Sequence, residues 1–237
     1  MNKYIIISNQ NRGISSYLAK QGFKLIYTDC VNDFIDYEQQ HADMQCLAFD
    51  NTVFVLKNAT DLLLRLKQLD VQVIETLKSA KGTYPKNILL NALVIGRNIV
   101  GKINSLDSVV VEYAKRNGYN LINVNQGYTA CSCCKISENA VITTDNSIYK
   151  ALSYTDIDVL KISSNDIVLD KAKRGESGFI GGASCRIDDN TILFFGDITK
   201  HNDFESINSF LSKHRVSYDY IKNLSLTDIG GAVLLNI

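Results

Sequence analysis

Apolar and polar segments follow one another in the same order at four places in the chain. Each begins with an apolar run, passes through a polar turn that ends in asparagine, and continues with a second apolar run. Asp, Asn, Gly and Ser adopt the positive φ angles that tight turns require, so each segment predicts a β-hairpin. The four turn residues are Asn51, Asn98, Asn139 and Asn190.

After each hairpin the apolar spacing lengthens to about 3.6 residues and then returns to a short apolar run, which predicts a helix followed by a third strand. Phe204, Ile207 and Leu211, for example, would lie on one buried helix face. The predicted helices are 61–69, 107–117, 146–154 and 203–214, and the predicted third strands are 71–75, 120–124, 158–162 and 216–221.

A fifth copy of the pattern is divided between the two ends of the chain. The run 232–237 supplies its first strand, Asn2 its turn, and 4–27 the remaining strand, helix and strand. The turn residues are then 41 to 51 residues apart around the whole chain. Both terminal runs are apolar and need a strand partner, so we expect them to pair with each other.

The fold class predicted is therefore α/β, a five-bladed αβ-propeller with pseudo-five-fold symmetry, closed by the pairing of the N- and C-terminal strands. We expect a single domain over 1–237. Its repeats would span about 41–86, 87–127, 128–177, 178–229, and 230–237 plus 1–40. The alternative of two α/β domains divided near Pro85 explains neither the even spacing nor the divided copy.

Composition narrows the classes of partner. Of the 237 residues, 46% are apolar. The 25 basic residues balance 25 acidic ones, whereas proteins that bind nucleic acids usually carry an excess of basic residues. No apolar run approaches the ~20 residues that span a bilayer, and the N-terminal run is short for a secretory signal. We expect a cytoplasmic protein without a nucleic-acid or membrane partner. Its oligomeric state is not indicated.

Three segments carry a resemblance to a known group of proteins. They are 126–132 (Gln-Gly-Tyr-Thr-Ala-Cys-Ser), 178–183 (Gly-Phe-Ile-Gly-Gly-Ala) and 226–230 (Leu-Thr-Asp-Ile-Gly). They resemble an uncharacterised bacterial family of the pentein fold, the fold of the guanidino-group-modifying enzymes. That fold also includes a non-catalytic ribosome anti-association factor, so the resemblance implies the architecture and leaves the reaction open.

The pentein hydrolases that this chain resembles use a cysteine nucleophile, a histidine general acid/base and carboxylates that clamp a planar guanidinium. Their cysteine follows a Gly-Gly pair in the last repeat. Here the pair is Gly230-Gly231, and Leu234 stands where the thiol would be. This departure argues against ordinary deiminase or amidinotransferase chemistry at that position.

Other residues precede the predicted first strands, where the loops should converge on a pocket. His41 and Asp43 form a His-x-Asp pair, and Cys131 offers a thiol. We assign Cys131, His41 and Asp43 as catalytic residues, with Cys131 as nucleophile and His41 as general acid/base. Asp43 and Asp228 would together clamp the substrate cation. The alternative is that Asp43 caps a turn and His41 is exposed. The predicted substrate-binding residues are Asp228, Ser132, Gly181 and Gly182.

The cysteines allow further interpretations. If a strand covers 131–135, Cys131 and Cys133 share a face with Lys135, whose charge would lower the thiol pKa. Packing as small apolar residues is the simpler alternative. Cys185 is a second candidate nucleophile. A metal site built on Cys-x-Cys-Cys would need His41 or Cys185 from another repeat, and we predict neither a metal nor a cofactor.

Two functions therefore remain open. One is a Cys-dependent hydrolase or transferase that acts on guanidino, ureido or amide compounds. The other is a non-catalytic binding or scaffold protein of the same fold. In both, the predicted partner is a small-molecule ligand in a central channel.

Overall fold

Strands and helices alternate through the residues that the computed structural model describes, 3–172 and 176–237. The predicted turn residue Asn2 lies outside them. The helices are α1 Arg12–Lys20, α2 Ala42–Gln45, α3 Thr60–Leu66, α4 Ser108–Arg116, α5 Asn146–Leu152 and α6 Phe204–Lys213, with 3-10 turns at Ile103–Ser105 and Ile198–Lys200. The strands are β1 Lys3–Ile7, β2 Lys24–Tyr27, β3 Cys46–Phe49, β4 Thr52–Val55, β5 Gln72–Glu75, β6 Leu93–Ile95, β7 Asn98–Gly101, β8 Asn120–Asn123, β9 Cys133–Ser137, β10 Ala140–Thr143, β11 Asp158–Lys161, β12 Val168–Leu169, β13 Ser184–Asp188, β14 Thr191–Phe194, β15 Ser217–Tyr220, β16 Thr227–Asp228 and β17 Ala232–Asn236.

Within these residues the strands form five three-stranded sheets of one design. Their strand orders are β3-β4-β5, β6-β7-β8, β9-β10-β11, β13-β14-β15 and β17-β1-β2. In each sheet the first strand is antiparallel to the second, and the second is parallel to the third. The hairpin, helix and third strand predicted for each copy of the pattern are all present.

The two terminal strands pair with each other, as predicted. β1 runs antiparallel to β17, and Tyr4 faces Leu235 while Ile6 faces Val233. The backbone groups of both apolar ends are thereby satisfied. This pairing places the chain's first and last described strands in the same sheet.

Local sequence explains where the elements begin and turn. The Asp107 and Asp145 carboxylates accept hydrogen bonds from backbone N–H groups in the first turns of α4 and α5. In the hairpin between β3 and β4, Asp50 and Asn51 have φ angles of 51° and 57°, the left-handed conformation that Asn and Asp tolerate.

Helices cover one face of the sheets and bury most of the apolar side chains. Ile207, Phe210 and Leu211 of α6 pack on Ile192 and Phe194 of β14. Each such side chain contributes roughly 2 kcal/mol by leaving water. On the opposite side, the first strands lie beside one another, with β17 contacting β3 and β13, β13 contacting β9, and β9 contacting β6.

A two-stranded parallel sheet of β12 and β16 was not predicted. The Asp170 N–H donates to the Asp228 carbonyl at 3.0 Å and extends this pairing. The segment around β12 is thereby fixed beside Asp228, one of the predicted binding residues.

Candidate functional site

Five chain segments are joined in a closed circuit of hydrogen bonds, and each lies directly before the first strand of a sheet. The Asp43 N–H donates to the Gly230 carbonyl at 3.0 Å, and the Gly231 N–H donates to the Gly182 carbonyl at 2.9 Å. The Gly182 N–H in turn donates to the Cys131 carbonyl at 3.0 Å. Three of the circuit's five links are therefore backbone hydrogen bonds.

Asn91 supplies the remaining two links from its side chain. Its Nδ2 donates to the Asp43 carbonyl at 3.1 Å, and its Oδ1 accepts from the Ala130 N–H at 2.8 Å. Asn91 is fully buried, so both bonds are shielded from water. Each of the five segments is held by two neighbours, which fixes the predicted site residues relative to one another.

A cavity of about 360 Å³ opens beside this circuit. Three predicted residues, His41, Cys131 and Asp228, line it together. Its walls also include the rings of Tyr128 and Phe179, whose centroids lie 6.5 Å apart with the rings 23° from parallel. The structure therefore brings the proposed nucleophile, acid/base and one binding carboxylate to a single pocket.

Asp228 is buried and held from both sides. Its Oδ2 accepts from the Phe179 N–H and its Oδ1 from the Gly230 N–H, both at 2.8 Å. Burial raises its pKa to about 6, an effect that these two hydrogen bonds oppose. A Cβ on Gly182 would lie 1.9 Å from Asp228 Oδ1, so a glycine at this position leaves room for the carboxylate.

Asp43 lies on the other side of the circuit. It lines a second cavity of about 530 Å³, bordered by the first strands of the five sheets. Both carboxylate oxygens are buried and have no hydrogen-bond partner within residues 3–172 and 176–237. Burial and the nearby Asp228 carboxylate raise the pKa of Asp43 well above its usual value. Asp43 therefore lines a different cavity from His41, Cys131 and Asp228, and its charge still raises the pKa of the Cys131 thiol.

Cys131 lies in a turn that precedes β9. Its Sγ accepts a hydrogen bond from Asn91 Nδ2 at 3.1 Å. Burial, followed by the charges of Asp43 and Asp228, raises the pKa of the thiol well above its usual value. In its ground state the candidate nucleophile is a protonated thiol.

The predicted effect of Lys135 on this thiol is wrong. The strand begins at Cys133 rather than at Cys131, so the alternation of faces does not extend to Cys131. Lys135 Nζ instead pairs with Glu138 Oε1 at 2.7 Å. The charges that act on Cys131 are therefore carboxylates, which stabilise the protonated thiol.

His41 is 3% exposed, which excludes the alternative of an exposed side chain. Burial lowers its pKa to about 3, so the ring is neutral at neutral pH. Its Nε2 has no hydrogen-bond partner in the part of the chain that the structure describes. Gly230, at φ +79°, packs so tightly against the ring that a Cβ would lie 2.2 Å from His41 Cγ. A buried neutral imidazole with a free nitrogen can accept or donate one proton.

The other predicted residues lie outside the pocket. Ser132 is buried, and its Oγ has no hydrogen-bond partner among the residues that the structure describes. Gly181 packs against the carbonyls of Ala130 and Cys131, where a Cβ would not fit. Cys185 is packed with apolar residues of β1 and α1, such as Ile5 and Ile14. Among the described residues, no group of three His, Cys, Asp or Glu could hold a metal ion.

Sequence reasoning missed a second carboxylate in the pocket. Glu38 lines the cavity, is 7% exposed, and accepts from Asn87 Nδ2 at 3.0 Å. The same Nδ2 also donates to the Tyr128 hydroxyl at 2.9 Å. Burial raises the pKa of Glu38, while these neighbours lower it. Glu38 lies in a segment without helical or strand periodicity, so no pattern pointed to it.

Several solved structures superpose on this chain over most of its length, and three of them are enzymes that modify guanidino groups. DDAH, a dimethylarginine dimethylaminohydrolase, from Pseudomonas aeruginosa, solved as a Cys-to-Ser mutant with citrulline, superposes with a TM-score of 0.59 at 9% identity over 99% of this chain and 100% of that chain. C. jejuni agmatine deiminase superposes with a TM-score of 0.53 at 10% identity over 98% and 92%. Inosamine-phosphate amidinotransferase from Streptomyces griseus gives 0.56 at 14% identity over 92% and 75%.

The chain therefore has the pentein fold, which these guanidino-modifying enzymes share. More particularly, the chain belongs to DUF6873, a family of unknown function, whose model matches residues 5–233. No curated protein matches the sequence. Within 3–172 and 176–237, the helices are all too short or too polar to cross a membrane.

Proposed function

We propose that this protein binds a cationic guanidino compound in the pocket lined by His41, Cys131 and Asp228. The observation that carries the proposal is the charge of the pocket. Glu38, Asp228 and Glu176 line it, and no Lys or Arg does so among the described residues. Buried carboxylates without a counter-charge are costly, and a bound cation offsets that cost.

The shape of the pocket supports a planar cation. Tyr128 and Phe179 both line the pocket with their rings 23° from parallel, and a cation against the face of either ring would gain about 0.5–2 kcal/mol. Carboxylates accept the parallel N–H groups of a guanidinium in a bidentate arrangement. A site with both features favours a guanidino group over the ureido and amide alternatives, which carry no charge.

Catalysis would start from the neutral pair Cys131 and His41. A cation bound beside Asp228 opposes the charges that raise the pKa of Cys131, and His41 accepts the thiol proton. The thiolate then forms a C–S bond to the guanidinium carbon, a C–N bond breaks, and the amine leaves with the proton from His41. A water molecule then forms a C–O bond to the same carbon as the C–S bond breaks, and it gives one proton to the sulfur and the other to solvent through His41. The products are a urea-type compound and the free thiol.

Non-catalytic binding is the second candidate, and one observation favours it. The pKa of the Cys131 thiol is raised and that of His41 is lowered, and both shifts disfavour transfer of the thiol proton to His41. A protein that only binds a cation needs the carboxylates and not the thiol.

The proposed architecture is the five-bladed propeller as one domain over 1–237, with repeats near 41–86, 87–127, 128–177, 178–229, and 230–237 plus 1–40. The closed hydrogen-bond circuit and the five like sheets support it. The balanced charge supports a small-molecule ligand rather than a nucleic acid, and we propose a cytoplasmic location without a membrane partner.

The test separates binding from catalysis. Binding of methylguanidinium is measured by calorimetry in the wild type, in Asp228→Asn and in the matched exposed control Asp61→Asn. Binding that Asp228→Asn weakens and Asp61→Asn does not supports the proposal, and absence of binding in the wild type overturns it. Ammonia or amine release from guanidino compounds is then assayed in Cys131→Ser and the control Cys133→Ser. If release is lost in Cys131→Ser and kept in Cys133→Ser, catalysis is assigned to Cys131. If neither the wild type nor any variant releases ammonia or an amine, the protein is assigned non-catalytic binding.

A further inference from the structure

The pocket of the candidate site has a buried inner part and an exposed entrance. Its inner lining includes Glu38, Cys131 and Asp228, all of them buried. At the entrance Ile35 is 42% exposed, although its side chain is apolar. Leu169 also lines the pocket and is partly exposed. Two carboxylates and the thiol therefore lie inside, and apolar side chains form part of the entrance.

The apolar side chains are fixed beside the buried carboxylates by the backbone. The Glu38 N–H donates to the Ile35 carbonyl at 2.8 Å, so both residues belong to one tight turn. Leu169 is the strand partner of Asp228 in the sheet of β12 and β16. The Phe179 N–H donates to Asp228 Oδ2 at 2.8 Å. A cation held by these carboxylates would therefore have apolar side chains close to it, on the way to solvent.

The cavity has room for a substituent on the guanidino group. Its volume of about 360 Å³ falls within the range of roughly 300–1,000 Å³ that is usual for sites of drug-sized ligands. An alkyl or aryl substituent would leave water as it contacts Ile35, Leu169 and Phe179, and this burial favours binding. A charged substituent would lose water there without gaining a hydrogen bond from these three side chains.

Glu176 acts against one kind of substituent in particular. It lines the same pocket and is exposed, so its charge would repel the carboxylate of an amino-acid group at the entrance. We propose that the pocket selects guanidino compounds whose substituent is an alkyl or aryl group over those that end in an amino-acid group. The guanidino part of this assignment rests on the proposed function, whereas the contribution of the apolar entrance does not.

Calorimetric titration of the wild type with a set of related ligands tests the selection. Methylguanidinium, butylguanidinium and L-arginine share the guanidino group and differ in the substituent. We expect butylguanidinium to bind at least about tenfold more tightly than methylguanidinium, and more tightly than L-arginine. Butylguanidinium that binds no more tightly than methylguanidinium overturns the selection, and so does L-arginine that binds as tightly as butylguanidinium.

Ile35→Ser tests whether the entrance is responsible, because an exposed side chain can be shortened without opening the core. The matched control is Val168→Ser, since Val168 is 49% exposed and lies next to Leu169 but not in the pocket lining. We expect Ile35→Ser to weaken butylguanidinium binding about fivefold more than methylguanidinium binding, and the control to change neither. An equal effect on the two ligands, or the same effect in the control, contradicts the role of Ile35.

Butylurea, which has a similar shape but no charge, separates this inference from the proposed function. If butylurea binds as tightly as butylguanidinium, the pocket does not recognise the charge and the proposed function fails. Butylurea binding that Ile35→Ser weakens would still support the apolar entrance. If methylguanidinium binds and butylguanidinium binds no more tightly, the proposed function stands and the apolar selection fails. Absence of binding by all four ligands overturns both.

Discussion

Asn91 donates a hydrogen bond from Nδ2 to Sγ of Cys131 at 3.1 Å, across 40 residues of sequence. The same side chain links the segments before β3 and β9. The residue that contacts the candidate nucleophile is therefore also part of the framework that positions it. Substitutions at Asn91 should affect stability and thiol environment together.

Replacing Asn91 with Leu should destabilise the fold. The change leaves the Ala130 N–H and the Asp43 carbonyl without these partners in a buried region, at a cost of about 3 kcal/mol. Urea unfolding of Asn91→Leu and of the exposed control Asn202→Leu measures the difference. A loss in Asn91→Leu no larger than in the control would show that the circuit contributes little.

The rate at which each cysteine is alkylated should follow the solvent exposure of its side chain. Cys30 is exposed, and the other five cysteines are buried. At pH 7.5 we expect iodoacetamide to modify Cys30 rapidly in the folded protein and to leave Cys131 unmodified, because burial and carboxylates keep its thiol protonated. Mass spectrometry of Cys30→Ser should show no fast modification. Rapid alkylation of Cys131 in that variant would contradict the raised pKa.

Binding of methylguanidinium should strengthen as the pH rises from 5 to 7. Asp228 has its pKa raised to about 6, so its ionised fraction, and with it the affinity, grows by about tenfold over that range. The raised pKa of Glu38 acts in the same direction. Calorimetry at both pH values should show this rise in the wild type and a smaller one in Asp228→Asn. Equal pH dependence in the two proteins would assign it to another group.

His41 should make the fold sensitive to acid. In the folded state the pKa of His41 is lowered to about 3. Between about pH 3 and 6.5 the unfolded chain therefore binds more protons than the folded one. Because of this difference, the free energy of unfolding falls as the pH drops through that window. Relative to His41→Gln, the wild type should lose about 2 kcal/mol between pH 7 and pH 5. Urea unfolding of both proteins at the two pH values measures this difference. A constant difference would mean that the pKa of His41 is not lowered in the folded protein.

Much of the architecture could be predicted because it is encoded locally. The turn residue Asn51 and the apolar spacing of α6 each act within a few residues, and the pairing of β1 with β17 follows from two apolar ends that need partners. The joint presence of His41, Cys131 and Asp228 in one pocket followed from their positions before first strands.

The features of the candidate site that could not be predicted depend on contacts between segments that are far apart in the sequence. Asn87 and Glu38 are 49 residues apart, and neither carries a pattern that relates it to the other. The environment of Cys131 was predicted incorrectly because strand alternation was extended through a turn. Where β9 begins decides whether Lys135 or Asp43 acts on the thiol, and that boundary is set by hydrogen bonds to other repeats.

Because Lys3 and Asn236 are paired neighbours, a short linker could join the two ends without moving either strand. New ends could then be opened in the hairpin at Asp189 and Asn190, opposite the face that holds the candidate site. A circular permutant of this kind would keep every sheet while changing the order in which the repeats are synthesised. The sequence of repeats along the gene is thus separable from their arrangement in space.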